Sequence, residues 1–247
     1  MDAFIRYEHI AKSFGPKVIY KDLCLDIVKG ETITIIGGSG TGKSVMLKLL
    51  LGLMRPDEGK IFFDGKDVVG MKEEELIQVR KRVGMLFQGA ALFDSMSVFD
   101  NVSYPLREHF KNYDETKLKE IVHEKLSVVG LPDTAAMMPA DLSGGMKKRV
   151  ALARALATDP EVILYDEPTT GLDPTNTNRI DELIISLQKK FKVTSIVVTH
   201  DMKSAFKISD RLALLYNKKI EFVGNKGEID RSDNMIVKKF IAGEIGE

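Results

Sequence analysis

Gly37-Gly38-Ser39-Gly40-Thr41-Gly42-Lys43-Ser44 is the stretch of this 247-residue chain whose reading decides its fold. Its spacing, G-x-x-x-x-G-K-[ST], is that of a loop built to hold a phosphate chain. The glycines let the backbone bend until successive N–H groups point inward at an anion. Lys43 is placed to reach β- and γ-phosphates, and the Ser44 hydroxyl to ligate Mg²⁺. With Gly at about 7% of residues, the four fixed positions should match by chance in roughly one chain per hundred of this length. The flanks tighten the assignment. Thr32-Ile33-Thr34-Ile35-Ile36 reads as a short buried strand and residues 45–51 as a largely buried helix. Strand, loop and helix form the setting such a loop needs, with the positive end of the helix dipole facing the anion. The expectation is a nucleotide site.

Toward the N-terminus, residues 3–36 read mostly as strands and turns, with Leu23, Leu25 and Ile27 on one face. Phe14 sits in the turn Lys12-Ser13-Phe14-Gly15-Pro16, either as a surface aromatic under a loop or as a platform for a purine ring. Beyond the phosphate loop, residues 60–63 suggest a strand, Asp64-Gly65 a hairpin, residues 73–82 a charged helix and residues 83–87 another buried strand.

From residue 89 to about residue 140 the pattern turns helical. Asp114 can cap a helix whose Leu118, Ile121, Val122, Leu126 and Val129 recur at helical spacing before Gly130 and Pro132 stop it. Alternation then returns. Residues 162–166 form a buried strand, Asp173-Pro174 opens a helix, and residues 193–199, 211–216 and 219–223 read as further strands. Strands alternating with helices predict a mainly parallel sheet covered on both faces.

Several polar residues fall where those strands end, the side on which an open α/β sheet binds ligands. Asp166 is placed to hold Mg²⁺, directly or through water. Glu167, next to it and free of metal duty, can take a proton from an attacking water. Gln88 is a candidate for contacting Mg²⁺ or orienting that water, and His200 for a hydrogen bond to a γ-phosphate. Leu142-Ser143-Gly144-Gly145-Met146 precedes a basic amphipathic helix at residues 147–157. A Ser-Gly-Gly turn that opens a helix is a second anion site. One chain with one phosphate loop has no need of two, so the simplest arrangement is a head-to-tail pair. Each Ser143-Gly144-Gly145 would then close over the nucleotide held by the other copy.

In these motifs the chain resembles the ATP-binding-cassette (ABC) ATPases along essentially its whole length. The resemblance implies that Phe14 stacks on adenine, that Gly37, Gly38, Ser39, Gly40, Thr41, Gly42, Lys43 and Ser44 bind ATP, and that Gln88 is the Q-loop glutamine. It further implies that Ser143, Gly144 and Gly145 form the signature turn, and that Ser44, Gln88 and Asp166 surround Mg²⁺. Glu167 is then the catalytic carboxylate, Gly171-Leu172-Asp173 the D-loop, and His200 the switch histidine. The signature departs from the common form in ending at Met146 rather than Gln. With Leu-Ser-Gly-Gly-Met followed by Lys147-Lys148-Arg149, the stretches at residues 87–95 and 101–109, and Lys239-Phe240-Ile241-Ala242-Gly243, the chain is similar to the subgroup serving Mce/Mla-type phospholipid transporters.

That resemblance implies a P-loop NTPase fold: a RecA-like, mainly parallel sheet with an N-terminal antiparallel β subdomain and an inserted α-helical subdomain. The expected division is residues 1–88 and 158–225 for the nucleotide-binding core, 89–157 for the helical subdomain and 226–247 for a C-terminal tail. It also implies ATP and Mg²⁺ as cofactors, and as partners a second copy, an integral membrane permease, an Mce-type lipid-binding protein and accessory subunits. The competing expectation is the ATPase of a solute importer or a cell-division complex.

The bulk numbers fit this reading. Lys plus Arg and Asp plus Glu are both 36, for a formal net charge of zero. That argues against a chain-wide electrostatic footprint for nucleic acid, and none is expected as a partner. The single cysteine, Cys24, excludes an intramolecular disulfide and suits a reducing compartment. Met1-Asp2-Ala3-Phe4-Ile5-Arg6 lacks the basic-then-apolar build of a secretory signal, and the richest apolar stretch, residues 45–54, is short and contains Lys48. The expected location is cytoplasmic, peripheral on the inner face of the inner membrane.

Overall fold

The computed structural model describes residues 3–244. The chain runs β1 (Ile5–Phe14), β2 (Lys17–Ile27), β3 (Thr32–Ile36), α1 (Lys43–Leu50), β4 (Glu58–Phe63), β5 (Lys66–Asp67), α2 (Glu73–Lys81) and β6 (Val83–Leu86). It continues with α3 (Val98–His109), α4 (Glu115–Val128), α5 (Gly144–Leu156), β7 (Val162–Asp166), α6 (Pro174–Phe191), β8 (Thr194–Thr199) and α7 (Met202–Ile208). It closes with β9 (Arg211–Tyr216), β10 (Lys219–Gly224), α8 (Lys226–Asp230) and α9 (Met235–Ile241). The last two helices occupy the expected tail; residues 245–247 of that tail, like Met1 and Asp2, lie outside the described residues.

Two sheets result. β2-β1-β4-β5 is antiparallel, and β10-β9-β3-β8-β7-β6 is parallel except at its β10 edge. The central strands β3, β8 and β7 are buried at every residue, in keeping with their nearly unbroken apolar sequences. Along β7, Val162 and Leu164 face the core shared with α1 and the antiparallel sheet, while Ile163 and Tyr165 face the core shared with α3, α4 and α5. β8 divides the same way, Ile196 and Val198 against Val197.

Local chemistry sets the helix starts. Asp114 Oδ1 accepts from the Lys117 N–H at 2.8 Å, and Asp173 Oδ1 from the Thr175 N–H at 2.9 Å, with Pro174 as the first helical residue. Asp64-Gly65 makes the β4–β5 turn with both φ angles positive, 52° and 76°, as a two-residue hairpin demands.

Two expectations shift, and the direction of β10 becomes defined. α5 begins at Gly144 rather than at residue 147, because Ser143 Oγ accepts from the Met146 N–H at 3.3 Å and caps the helix early. β6 stops at Leu86, leaving Phe87 outside the ladder and 39% exposed. β10 returns antiparallel to β9, because the Asn217-Lys218 turn, with φ of 47° and 68°, is too short for a parallel crossover.

Candidate active site

The phosphate loop follows β3, a central strand whose five residues are all buried, so its C-terminal end is a rigid mount. Gly42 sits at φ 107°, and a Cβ there would lie 2.4 Å from Ile19 Cγ2. Both the left-handed backbone and the contact with β2 therefore require glycine at this position. Tyr20, on β2, donates to the Gly42 carbonyl and ties the antiparallel sheet to the loop. Inside the loop, Thr41 Oγ1 donates to the Gly38 carbonyl at 2.9 Å. Lys43 donates to the carbonyls of Gly37 and Gly38, each at 2.9 Å. Its side chain is buried, which depresses its pKa, while Glu167 and Asp166 oppose that shift.

Two strands away, β7 ends at Asp166. Ser44 Oγ, at the start of α1, donates to Asp166 Oδ1 at 2.6 Å. A hydroxyl and a carboxylate meeting at the mouth of the loop form a hard oxygen pair that fits Mg²⁺.

Glu167 is the next residue, held at φ 48° with its N–H bonded to the Val198 carbonyl at 2.9 Å. A left-handed glutamate is uncommon and costs conformational energy. Here the geometry turns the carboxylate out of the strand direction and into the cleft. Its Oε2 accepts from Thr170 Oγ1 at 3.2 Å and from Thr199 Oγ1 at 3.3 Å, and lies 2.9 Å from His200 Nδ1. Its Oε1 lies 3.8 Å from Lys43 Nζ. His200, just past the end of β8, keeps 63% of its side chain exposed and so faces the open cleft.

Gln88, Phe14, Ser39, Gly40, Gly42, Lys43, Ser44, Glu167 and His200 all line this one cleft. Phe14 is 44% exposed on the rim, with Lys12 Nζ 5.4 Å from its ring centroid. Ser143, Gly144 and Gly145 do not line it. They lie at the N-terminus of α5, where a Cβ on Gly145 would come 2.6 Å from Asn176 Oδ1.

Lys148 escaped the sequence reading. From the buried face of α5 its Nζ donates to the Glu167 carbonyl at 3.1 Å, steadying the left-handed turn from below. The signal was present: Lys148 falls four positions before Leu152 and seven before Ala155, on the apolar stripe of a helix otherwise read as a basic face. The sequence reading missed Thr170, only three positions past Glu167, and Thr199, which the fold alone brings to it from 32 positions away.

With that geometry in view, the comparisons with known proteins are specific. The sequence profile of the family described as ABC transporter matches residues 20–170. The chain is 43% identical, over 97% of its length and 90% of the relative's, to the intermembrane phospholipid transport system ATP-binding protein MlaF of Haemophilus influenzae. It is 42% identical, over 98% of its length and 70% of the relative's, to the probable ribonucleotide transport ATP-binding protein mkl of Mycobacterium leprae. Among solved structures, the dimeric post-hydrolysis state of the ATP-binding cassette MJ0796, bound to ADP and Pi, superposes with a TM-score of 0.82 at 31% identity, covering 90% of this chain and 98% of that one.

Proposed function

This chain belongs to the ABC transporter family, and from that membership we propose that it is the ATP-hydrolysing subunit of a system moving phospholipid across a bacterial envelope through a separate integral membrane permease. The observation that carries the hydrolytic part is the position of Glu167. Its carboxylate is held by Thr170, Thr199 and His200 in the same cleft that Lys43 and Ser44 line.

The roles follow from that arrangement. The loop N–H groups and Lys43 hold the phosphates of ATP. Ser44 and Asp166 would hold Mg²⁺, which would supply positive charge to offset that of the phosphates. Glu167 accepts the proton of the attacking water, a contribution typically worth about 10²–10⁴-fold. His200 and Gln88 border the γ-phosphate end, and Phe14 offers its exposed ring to adenine. The signature turn, Ser143 to Gly145, lies off its own chain's cleft, which supports a head-to-tail homodimer in which it caps the partner's nucleotide. We divide the chain as residues 1–88 and 158–225 for the core, 89–157 for the helical subdomain and 226–247 for the tail.

The permease reading rests on a groove beside Gln88. Phe87, Phe93, Tyr104, Pro105 and Arg154 line it, and three of those rings are exposed by 38–42%. A short amphipathic helix of the permease fits such a surface. Leu92, next to Phe93 in sequence, does not line this groove and packs against the helical core. Among the described residues no helix is long and apolar enough to cross a membrane; in this reading the permease carries the cargo. An Mce-type lipid-binding protein and accessory subunits complete the complex, which places this subunit peripherally on the cytoplasmic face of the inner membrane.

Co-purification of the chain with its membrane partners, reconstitution in vesicles and mass spectrometry of bound cargo test this reading. ATP-dependent movement of a co-purified phospholipid is the expected result. A ribonucleotide or another solute as the cargo overturns the lipid assignment, and absence of ATP hydrolysis overturns the motor assignment.

A further inference from the structure

On β1 the alternation of inward and outward residues breaks. Tyr7 and Ile10 are both fully buried, and the two residues between them, Glu8 and His9, lie outside. Two residues in place of one is a β-bulge, and the pairing with β2 shifts register between Tyr7 and Ile10. On β2, Leu23 and Leu25 point inward, so Asp22 and Cys24 point out. Tyr7 pairs with Leu25 and Ile10 with Leu23, which sets Cys24 opposite the bulge. His9, at φ 52°, swings over it, and its N–H donates to Cys24 Sγ at 3.3 Å.

Three different metal-binding atoms thereby converge within 4.8 Å of one another. His9 Nδ1 lies 2.8 Å from Asp22 Oδ1 and 3.7 Å from Cys24 Sγ, and Cys24 Sγ lies 3.8 Å from Asp22 Oδ1. Around a tetrahedral zinc ion with ordinary bond lengths, sulfur sits about 3.5 Å from nitrogen or oxygen, and nitrogen about 3.3 Å from oxygen. Each observed separation is within about 0.5 Å of those values. The one short edge is the Nδ1–Oδ1 contact, which loses its proton when a cation enters.

A nucleophilic cysteine would need another geometry. A catalytic imidazole takes the thiol on one ring nitrogen and the carboxylate on the other. Here both face Nδ1, as in a chelate. We propose that His9, Asp22 and Cys24 form a zinc-binding site on the outer face of the antiparallel sheet. The donor set of imidazole, carboxylate and thiolate suits Zn²⁺ and excludes Mg²⁺ and Ca²⁺, which take oxygen ligands. The side chains of His9 and Asp22 are 72% and 65% exposed and Cys24 is exposed, which leaves a fourth position open to water. The adjoining outward pair, Arg6 and Asp26, is closed on itself at 2.8 Å.

The test uses the full chain, stripped of metal and held in excess Mg²⁺ so that the hard oxygen pair of the nucleotide cleft does not compete. Titration with Co²⁺ should produce thiolate-to-cobalt charge-transfer absorption that saturates at a single equivalent, and Zn²⁺ should abolish it. His9→Gln and Asp22→Asn should each weaken Zn²⁺ binding roughly tenfold or more, measured by competition with a chromophoric chelator. Cys24→Ser should remove the charge-transfer band altogether. ATPase activity should stay unchanged in all three variants, since none of these residues lines the nucleotide cleft. No thiolate band, or a Zn²⁺ affinity that survives both His9→Gln and Asp22→Asn, overturns the proposal.

Discussion

His200 Nδ1 lies 2.9 Å from Glu167 Oε2, joining the residue that follows β8 to the residue that follows β7. The carboxylate that would take a proton is therefore positioned by a neighbouring strand as well as by the turn it stands in.

Glu167→Gln keeps the shape of this contact and removes the proton acceptor. Hydrolysis should fall by roughly 10²-fold or more while ATP binding persists. ATP held without turnover should trap the dimer, visible as a doubled mass by light scattering. Unchanged turnover would place the base elsewhere.

Lys43→Ala removes a buried ammonium already aimed at the loop carbonyls of Gly37 and Gly38. A hydrogen bond to a charged group is worth about 1.5–3 kcal/mol, so ATP affinity should drop by roughly 10- to 150-fold in calorimetry. An unaltered binding isotherm would show that the loop does not hold the phosphates.

Phe93→Asp tests the permease groove. The ring is 42% exposed, and its tilted contact with Tyr104 at 5.0 Å is worth about 0.5–1.5 kcal/mol. The isolated chain should stay folded and bind ATP but lose permease association and lipid transport. Retained association would move the docking site away from this groove.

Arg154 holds the segment after Gln88. Its guanidinium donates to the carbonyls of Ala91 at 2.8 Å and Ala90 at 3.0 Å, residues whose φ angles are 50° and 64°. Arg154→Ala should release this loop, leaving ATP binding intact and lowering permease-stimulated hydrolysis severalfold relative to basal hydrolysis. An unchanged ratio of stimulated to basal rate would show that the loop does not transmit.

Glu161, just before β7, is held between two cations, Oε1 to Arg82 Nε at 2.5 Å and Oε2 to Lys29 Nζ at 2.8 Å. The hydrogen bond from Arg82 is the main reason its pKa falls from 4.5 to about 2. A depressed carboxylate contributes its full stability above the unfolded-state pKa and loses it as pH falls through the folded one. Glu161→Gln should therefore cost stability at neutral pH, about 0.2–1 kcal/mol per partially exposed pair. In urea titrations the difference from the parent chain should shrink between pH 4.5 and pH 2. A difference independent of pH would assign the contribution to packing.

Read alone, the sequence determined what depends on neighbouring residues. The phosphate loop, the Asp166-Glu167 pair at a strand end, the Asp114 and Asp173 caps and the Asp64-Gly65 turn are each specified within a few positions, because dihedral preferences and capping act over that range. The mainly parallel sheet followed from the alternation of elements. Tertiary structure decided what depends on register and on residues far apart in the chain. Lys148 reaches the Glu167 carbonyl across 19 positions, and Arg154 reaches the Ala91 carbonyl across 63. His9 meets Asp22 and Cys24 only because a bulge in β1 sets two residues against one on β2. Strand periodicity tells which side a residue faces, but the partner opposite it is set by register, and register is set by the whole packed sheet.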